Sequence, residues 1–277
     1  MENPSGQELA MLTSSSQSKA SGRALRISFG WLGLLILAIG WQLAAIIINK
    51  TIFPSFTTSI VAAVHLVASA RLVSDILPSI GRTIIGFLIS AVIGITAGLA
   101  IGHYESARQW SYSVVDFLRS LPTPLLVPIA VVIFGLNGRM VIAAIVTGAI
   151  WPILINTANA TSTIEPTMLD TAKTYGYRGR SLFIRVILPA ASPQIFAGLR
   201  VALSVSLVIM VVAEMLGGGS GIGYFISNAQ QSFNIKGSYG GVIVLAAMGW
   251  IFDTHFLMFE RRILSWQRGT VGGIVNA

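Results

Sequence analysis

Residues 161–185 read TSTIEPTMLDTAKTYGYRGRSLFIR and lie between two long apolar runs. Pro166 suits a first helical position and Gly176 supplies a C-terminal stop, so we expect a short helix over 166–175. A connecting segment this long, charged and helix-prone indicates a docking element for a partner in the aqueous phase.

A second short helix is expected after the glycine turn. Ser181 can cap this helix, which we expect to end before Pro189, where the next long helix begins. Two short helices joined at a glycine form a compact knob. Its apolar ridge consists of Met168, Leu169 and Ala172. A ridge of this kind fits a groove on a partner protein.

The rest of the chain has the composition of a membrane protein. Of its 277 residues, 54% are hydrophobic and only 10% are charged, a balance that soluble globular domains do not have. A transmembrane helix needs roughly 20 mostly apolar residues. Six stretches come close to this length, so we expect an all-α polytopic membrane protein with helices over 29–48, 79–102, 113–134, 139–157, 189–213 and 238–259.

The distribution of Lys and Arg predicts the orientation, because these residues are retained on the cytoplasmic side of bacterial inner-membrane proteins. With the N-terminus inside, eleven Lys and Arg residues fall on the cytoplasmic side and five fall outside or at the outer rim. The positive charges are spread over separate loops without interleaved aromatic residues, which argues against nucleic-acid binding. We therefore expect both termini and the 161–185 segment in the cytoplasm.

Both ends of the chain are expected to be cytoplasmic tails. Residues 1–28 are rich in Ser, Gly and Gln and predict a disordered tail, and 267–277 form the other tail. The run 29–48 is too long for a signal-peptide core and precedes no small-residue cleavage site, so we expect it to remain as the first helix. One transmembrane domain would then cover 29–266. The chain has no Cys, which excludes disulfides and thiolate metal sites, and we expect no metal site.

Glycine and proline mark the second and third predicted helices. Small residues recur every four positions in the second helix, which indicates close packing against another helix: Gly86, Ser90, Gly94, Gly98 and Gly102. In the third helix, Pro122, Pro124 and Pro128 remove backbone donors, so we expect a break or kink. Broken helices in membranes line cavities or are buried in protein, and this break is our first indication of a translocation path.

Ionisable residues inside the predicted spans are candidates for function. Arg200 lies near the middle of the fifth span, and Asp253 reaches a comparable depth in the sixth. A structural ion pair between them is at least as well supported as a substrate-binding Arg200. Asp116 and Arg119 are three residues apart and can pair along their helix. Arg119 adjoins the proline break and is the better candidate for attracting an anion.

The loop carries a known signature. Asp170-Thr171-Ala172 is followed after three residues by Gly176 and after nine more by 186–189, VILP. This spacing resembles the EAA signature of bacterial ABC importer permeases, in which E-A-A is followed by G and then by I-x-L-P. Asp170, Thr171 and Val186 depart from that pattern. Further similarity to the nitrate, sulfonate, taurine and bicarbonate branch lies in 116–122, 134–135, 198–200, 213–214 and 221–223.

This resemblance covers about residues 54–266 and implies a type I ABC importer permease fold. It implies that residues 161–185 form a coupling loop, which sits in a cleft of a cytosolic ATPase subunit. The contact would involve Met168, Leu169, Asp170, Thr171, Ala172, Gly176 and Pro189. The implied partners are a second permease subunit in a homodimer, two ATPases that bind ATP and Mg, and an extracytoplasmic solute-binding protein. The implied location of this chain is the bacterial inner membrane. The chain itself has no G-x-x-x-x-G-K-[ST] phosphate loop, so we expect a transport subunit with no cofactor and no catalytic residue.

The expected mechanism is alternating access, with Arg119, Pro122, Pro124 and Arg200 along the path of a small anion. The glycine-rich segment 217–223 follows Glu214. We expect Glu214, Gly221 and Gly223 to form an outer gate or a dock for the binding protein. A plain flexible connector is an equally supported interpretation of this segment.

Two other classes of protein fit parts of the sequence. The run 218–221 matches the short G-x-S-G pattern of rhomboid intramembrane proteases, and Ser220 and His255 would be its catalytic dyad. A four-residue pattern in a glycine-rich run is a weak signal, and the two residues are expected near opposite membrane faces. A secondary transporter that works without an ATPase is the other alternative, and the coupling signature argues against it.

Overall fold

The computed structural model describes residues 32–48 and 52–266, and all regular secondary structure in these ranges is helical. Two predicted tails, 1–28 and 267–277, lie outside the described residues. The α-helices in these ranges are α1 (Leu32–Ile48), α2 (Phe56–Ala68), α3 (Leu77–His103), α4 (Glu105–Arg119), α5 (Val127–Phe134), α6 (Gly138–Ser162), α7 (Pro166–Thr174), α8 (Gly179–Leu182), α9 (Leu188–Gly217), α10 (Ile222–Gln231) and α11 (Ile235–Ile263).

The chain divides into two compact units at Val61. In the first unit, the Trp41 indole Nε1 donates to the Pro54 carbonyl at 3.1 Å, and the Thr57 backbone N–H donates to Gln42 Oε1 at 3.2 Å. These bonds tie α1 to the start of α2. The second unit contains the remaining helices, and the prediction of one domain over 29–266 stays a prediction.

Four helical segments are long and apolar enough to cross a bilayer: Leu72–His103, Gly138–Ser162, Gly179–Gly217 and Ile235–Ile263. A fifth crossing exists if α4 and the segment Thr123–Phe134, which meet at 83°, count as one broken span. The first predicted span corresponds to α1, a shorter apolar helix of 17 residues within the described range. The polytopic all-α class is therefore confirmed, and the count of six stays a prediction.

The predicted break in the third span is confirmed. α4 ends at Arg119, Pro122 has an extended backbone with ψ at 109°, and a short 3₁₀ helix over Thr123–Leu126 leads into α5. Proline disfavours the helical conformation of the residue before it and donates no backbone hydrogen bond, so Pro122 and Pro124 together end one helix and restart another. The proline run thus produces a sharp corner.

The small-residue face of α3 lies against α6. A Cβ atom added at Gly98 would come within 2.7 Å of the Leu154 carbonyl oxygen, and one at Gly102 within 2.5 Å of the Ala158 carbonyl oxygen. The two backbones therefore approach so closely that no side chain fits between them. This arrangement confirms the predicted tight packing. α6 packs on α9 as well, so it forms the centre of the bundle.

We expected the helix after the 161–185 loop to begin at Pro189, but it begins earlier. Helical structure runs without interruption from Gly179 to Gly217. It passes through a π-helical turn over Phe183–Ile187, in which the Leu188 N–H bonds to the Phe183 carbonyl. Pro189 has no N–H to donate to the helix. The wide π-helical turn just before it accommodates this missing hydrogen bond, and the helix continues. The second short helix is thus the first turn of a long one.

Candidate functional site

Residues 161–185, for which the resemblance implies a coupling role, are called the coupling loop below. Local bonds hold the first half of this loop. α7 begins at Pro166, as predicted, and its exposed side chains bond within the same helix. Lys173 Nζ donates to Asp170 Oδ1 at 2.9 Å, and the Thr171 hydroxyl donates to the Thr167 carbonyl at 2.7 Å. Asp170 and Thr171, two signature positions, are therefore exposed to solvent.

Gly176 ends α7, as predicted. Its φ is +84°, a left-handed conformation that glycine adopts without strain. The Tyr177 N–H then reaches back to the Ala172 carbonyl at 3.0 Å, which closes the end of the helix. No atom lies within 4 Å of a Cβ added at Gly176, so the position requires glycine for its backbone angle and has room for a side chain.

The expected apolar ridge is only partly at the surface. Met168 is 45% exposed and Leu169 is half-buried, but Ala172 is only 9% exposed. Ala172 therefore adds little to the exposed surface of the ridge, and its part in a contact with the ATPase stays a prediction. Tyr175, which we did not include, is 80% exposed and contributes the largest aromatic surface of the loop.

Ser181 is not the N-cap residue of the second helix, which is Arg178, but it takes part in the capping box at the start of that helix. The helix begins one position after Arg178, and Ser181 lies in its first turn. The Ser181 Oγ accepts from the Arg178 N–H at 3.1 Å and donates to the Arg178 carbonyl at 2.9 Å. The serine thus stabilises the start of α8 from inside the helix.

Arg119 lies at the corner between α4 and the proline run. Its guanidinium forms hydrogen bonds of 2.5 and 2.9 Å to Asp116 Oδ1, and both side chains are about half exposed. The two residues line an open cavity of about 710 Å³ between α4 and α6. Other polar residues of the cavity wall are Glu105, Arg108, Gln109, Ser111, Tyr112, Asn159 and Ser162. Pro122 and Pro124 shape the corner but do not line this cavity.

Arg200 pairs with Asp253, as one of our two interpretations predicts. The guanidinium Nε lies 3.1 Å from Asp253 Oδ1, and the two side chains are 48% and 45% exposed. The pair links α9 to α11. Because both side chains remain half exposed, the pair leaves part of the Arg200 charge accessible, so a role in the translocation path stays a prediction.

Glu214 is the most deeply buried charged residue among those described. Its side chain has no exposed surface, and its carboxylate pairs with the Arg82 guanidinium at 2.7 Å. The Ser79 hydroxyl lies 2.8 Å from the same carboxylate, and the Gly223 N–H donates to it at 3.0 Å. Glu214 itself is therefore not accessible to a binding protein in this structure, and its predicted part in an outer gate stays a prediction.

The glycine-rich segment 217–223 is built around this carboxylate. Gly221 has φ at +116°, and a Cβ atom there would collide with the Glu214 carboxylate. A Cβ at Gly223 would lie 2.6 Å from the Val211 carbonyl oxygen. Gly221 and Gly223 are both buried, so neither offers a surface for docking. The segment is a packed structure and not a plain flexible connector, and a role in gating stays a prediction.

Arg82 and Asp75 extend this cluster on α3 and on the turn before it. Arg82 donates to the Ser220 carbonyl and to its hydroxyl, both at 2.6 Å. Asp75, only 4% exposed, pairs with Arg71 at 3.2 Å and accepts from the Gly221 N–H at 3.4 Å. We call Asp75, Ser79, Arg82, Glu214 and residues 217–223 the buried polar network.

The roles of Arg82, Asp75 and Ser79 were not predicted from the sequence. One signal was available, because Arg82 falls inside the predicted span 79–102, where ionisable residues are candidates for function. The charge distribution instead places Arg82 among the five basic residues that fall outside or at the outer rim. Its partner Glu214 lies 132 residues further along the chain, and no local pattern links the two.

In the alternative protease dyad, Ser220 and His255 would bond to each other, but each of them bonds to another group. The Ser220 hydroxyl accepts from Arg82, and the His255 Nδ1 lies 2.8 Å from the Ile251 carbonyl of its own helix. Within residues 32–48 and 52–266, no three His, Asp or Glu side chains come together to hold a metal ion.

Solved structures include one with a similar fold. It shows inward-facing conformations of the MetNI methionine ABC transporter, and the TM-score is 0.61 at 17% identity. The match covers 69% of this chain and 95% of the other. The bundle of helices around α6 is therefore a type I ABC importer permease fold.

Curated relatives match over most of the chain. A protein of Escherichia coli named as a putative aliphatic sulfonates transport permease, SsuC, is 32% identical over 87% of this chain and 92% of its own length. The Bacillus subtilis protein of the same name is 29% identical over 89% and 92%. The bicarbonate transport system permease protein CmpB of Synechococcus elongatus is 35% identical over 67% of each chain.

Family models give the same result. The model described as the binding-protein-dependent transport system inner membrane component matches residues 90–265, which include α6, the coupling loop and α9. This range is more than half of the chain. The chain therefore belongs to the family of binding-protein-dependent transport system inner membrane components, the permeases of ABC transporters.

Proposed function

We propose that this permease is the membrane subunit of an ATP-driven importer that moves a small anion into the cytoplasm. The relatives named for aliphatic sulfonates and for bicarbonate support an anionic substrate of the nitrate, sulfonate or bicarbonate kind. Selection among these anions is assigned to an extracytoplasmic binding protein. A ligand-induced rise in the melting temperature of that binding protein identifies the substrate.

The observation that carries the proposal is the exposed coupling loop. It connects the apolar helices α6 and α9 and presents Met168, Asp170 and Tyr175 to solvent. Its side-chain hydrogen bonds join residues only three or four positions apart in the chain. A loop whose exposed polar side chains bond only to near neighbours in the chain has its outer surface available for a partner. In this proposal the partner is a cytosolic ATPase, which binds ATP and Mg.

The proposed assembly has two copies of this chain, two ATPases and one binding protein, with both termini of the permease in the cytoplasm. Closure of the ATPase pair would move the coupling loops and tilt the helices between outward- and inward-facing states. The corner at Pro122 and Pro124, together with Arg119 and Arg200, would line the path. Glu214 and the loop that it holds would act in the outer gate from a buried position.

Reconstitution of the permease with its ATPase and binding protein tests the proposal. Asp170→Lys and Gly176→Val each alter the loop surface or its turn while leaving the spans unchanged. We expect both variants to insert normally and to lose most of the ATPase stimulation by liganded binding protein, together with transport.

Glu165→Lys is the matched control. It introduces the same charge reversal at the other end of α7, where the side chain makes no capping bond. Since it lies outside the proposed contact, it should keep at least about half of the stimulation, because a helix-terminal charge changes stability only by about 0.3–1 kcal/mol. Normal transport by the Asp170 and Gly176 variants would refute the coupling role.

A further inference from the structure

A second cavity lies where the end of α3 meets the start of the long helix from Gly179. It has a volume of about 610 Å³ and is open to the outside. From α3 it is lined by Thr96, Leu99, Ala100, His103 and Tyr104, and from the other side by Gly179, Arg180, Leu182, Phe183 and Ile187. It is separate from the cavity beside Arg119 and shares no residue with it.

The wall of this cavity is divided into a polar rim and an apolar interior. His103 and Tyr104 stack edge to face at 4.9 Å between ring centroids at the end of α3, and Arg180 lies opposite on α8. Deeper in, Leu99, Leu182 and other apolar side chains form the wall. Thr96 and His103 are separated by about 10 Å of helical rise, so the cavity follows α3 well into its apolar span.

The rim favours an anion. Arg180 is the one side chain in the wall with a permanent charge, and no carboxylate lines the cavity. Arg180 also forms no ion pair with any residue in the described part of the chain. A guanidinium with free donors binds phosphate oxygens in a bidentate manner, and the His103 and Tyr104 rings can add donors.

The interior favours an acyl chain over a free phosphate ion. A soluble anion would bind only at the rim and would leave the apolar walls in contact with water. The adjoining face of α3 continues with exposed apolar side chains, Leu88 at 55% and Val92 at 65%, which is typical of a surface that faces lipid. A phospholipid would place its phosphate at the rim and one tail along this face.

We propose that this cavity binds an anionic phospholipid of the leaflet on the coupling-loop side, with its phosphate on Arg180. The lipid would join the end of α3 to the first turn of the helix from Gly179, next to the surface proposed for the ATPase. The assignment to the cytoplasmic leaflet rests on the orientation given in the proposed function. Binding itself requires neither an ATPase nor transport.

Lipid retention by the full-length permease tests this site. The protein is purified in detergent with mixtures of phosphatidylglycerol and phosphatidylcholine, and retained lipids are counted by native mass spectrometry. We expect phosphatidylglycerol to be retained in preference to phosphatidylcholine, and Arg180→Ala to weaken its retention about tenfold, as expected for loss of a charge-assisted bond. Arg185→Ala removes an equal charge five residues away, outside the cavity, and should change retention less than about twofold.

A second variant tests the interior. Thr96 is exposed and lines the end of the cavity furthest from the rim, so Thr96→Phe fills that end and leaves the rim intact. It should also weaken phosphatidylglycerol retention about tenfold, with an unchanged melting temperature in phosphatidylcholine, because a filled cavity excludes the acyl chain. Inorganic phosphate, added in a parallel series, should not displace the lipid.

Four results would overturn the proposal: equal losses for the Arg180 and Arg185 variants, no loss for Thr96→Phe, displacement by inorganic phosphate, or displacement by the bound ATPase. The first indicates diffuse attraction of basic residues, and the second and third indicate a soluble anion. The last assigns Arg180 to the ATPase interface. Because retention is measured on the permease alone in the first three, failure of the lipid site remains distinct from failure of coupling.

Discussion

Two polar segments lie at opposite ends of α3 and are stabilised in different ways. At its start, the buried polar network holds residues 217–223 by contacts between residues more than 130 positions apart, including Arg82 with Glu214. Beyond its other end, the coupling loop relies on bonds between neighbours, such as Lys173 with Asp170. The first segment is almost closed to solvent and the second is largely open to it.

This contrast separates two uses of polar residues in a membrane protein. A buried charge must be paired and hydrogen-bonded by its own protein, since an unpaired one is strongly destabilising. The network therefore serves the folded state. Exposed charges with only local partners contribute little to stability, so the residues of the coupling loop are free to serve recognition.

Glu214→Ala should have the largest effect on stability, because it leaves the Arg82 guanidinium largely buried without a carboxylate. Breaking a buried pair from one side costs about 3–5 kcal/mol. We expect this substitution to lower the melting temperature more than the glycine and Asp170 substitutions below, measured by size exclusion after heating.

A double variant, Arg82→Ala with Glu214→Ala, sharpens this result. Removing both charges leaves no unpaired ion, so the double variant should be more stable than the sum of the single changes predicts. Additive losses would indicate that the two residues act independently and that the network is not a cooperative unit.

Two glycines with positive φ provide the next comparison. Gly221→Ala adds left-handed strain and a collision with the Glu214 carboxylate, whereas Gly176→Ala adds strain in open space. Left-handed strain alone costs about 1–2 kcal/mol. We therefore expect Gly176→Ala to show only that loss and Gly221→Ala to fall well below it in melting temperature. Equal losses would mean that the loop around Glu214 relaxes freely.

Asp170→Asn should have the smallest effect on stability. The carboxylate is 72% exposed and pairs only with Lys173 in the same helix, so its loss costs about 0.5 kcal/mol or less. The melting temperature of the purified permease should stay nearly unchanged. A fall as large as that of the Gly221 variant would contradict the view that this loop is held only locally.

Features that depend on neighbours in the chain were predictable. The four-residue spacing on α3 predicted its close packing on another helix, and the proline run predicted the corner after Arg119. The ends of α7 followed from Pro166 and Gly176. Each of these signals acts through the backbone of the residue itself, so the sequence alone carries the information.

Features that depend on distant partners were missed. In the sequence, Glu214 is a charged residue at the end of an apolar run. Its enclosure by Arg82 and Ser79 depends on the packing of α3 against α9. The continuation of the helix through Pro189 was missed for a different reason, since a π-helical turn has no simple sequence signal.

The uninterrupted helix from Gly179 to Gly217 has a mechanical consequence. Its 39 residues span about 58 Å, well beyond the thickness of the hydrocarbon core. One end adjoins the turn that closes α7, and the other carries Glu214. If the helix tilts as a rigid rod about its midpoint, its two ends are displaced in opposite directions. A displacement of its first turn at one face of the membrane then moves residues 217–223 the opposite way at the other face.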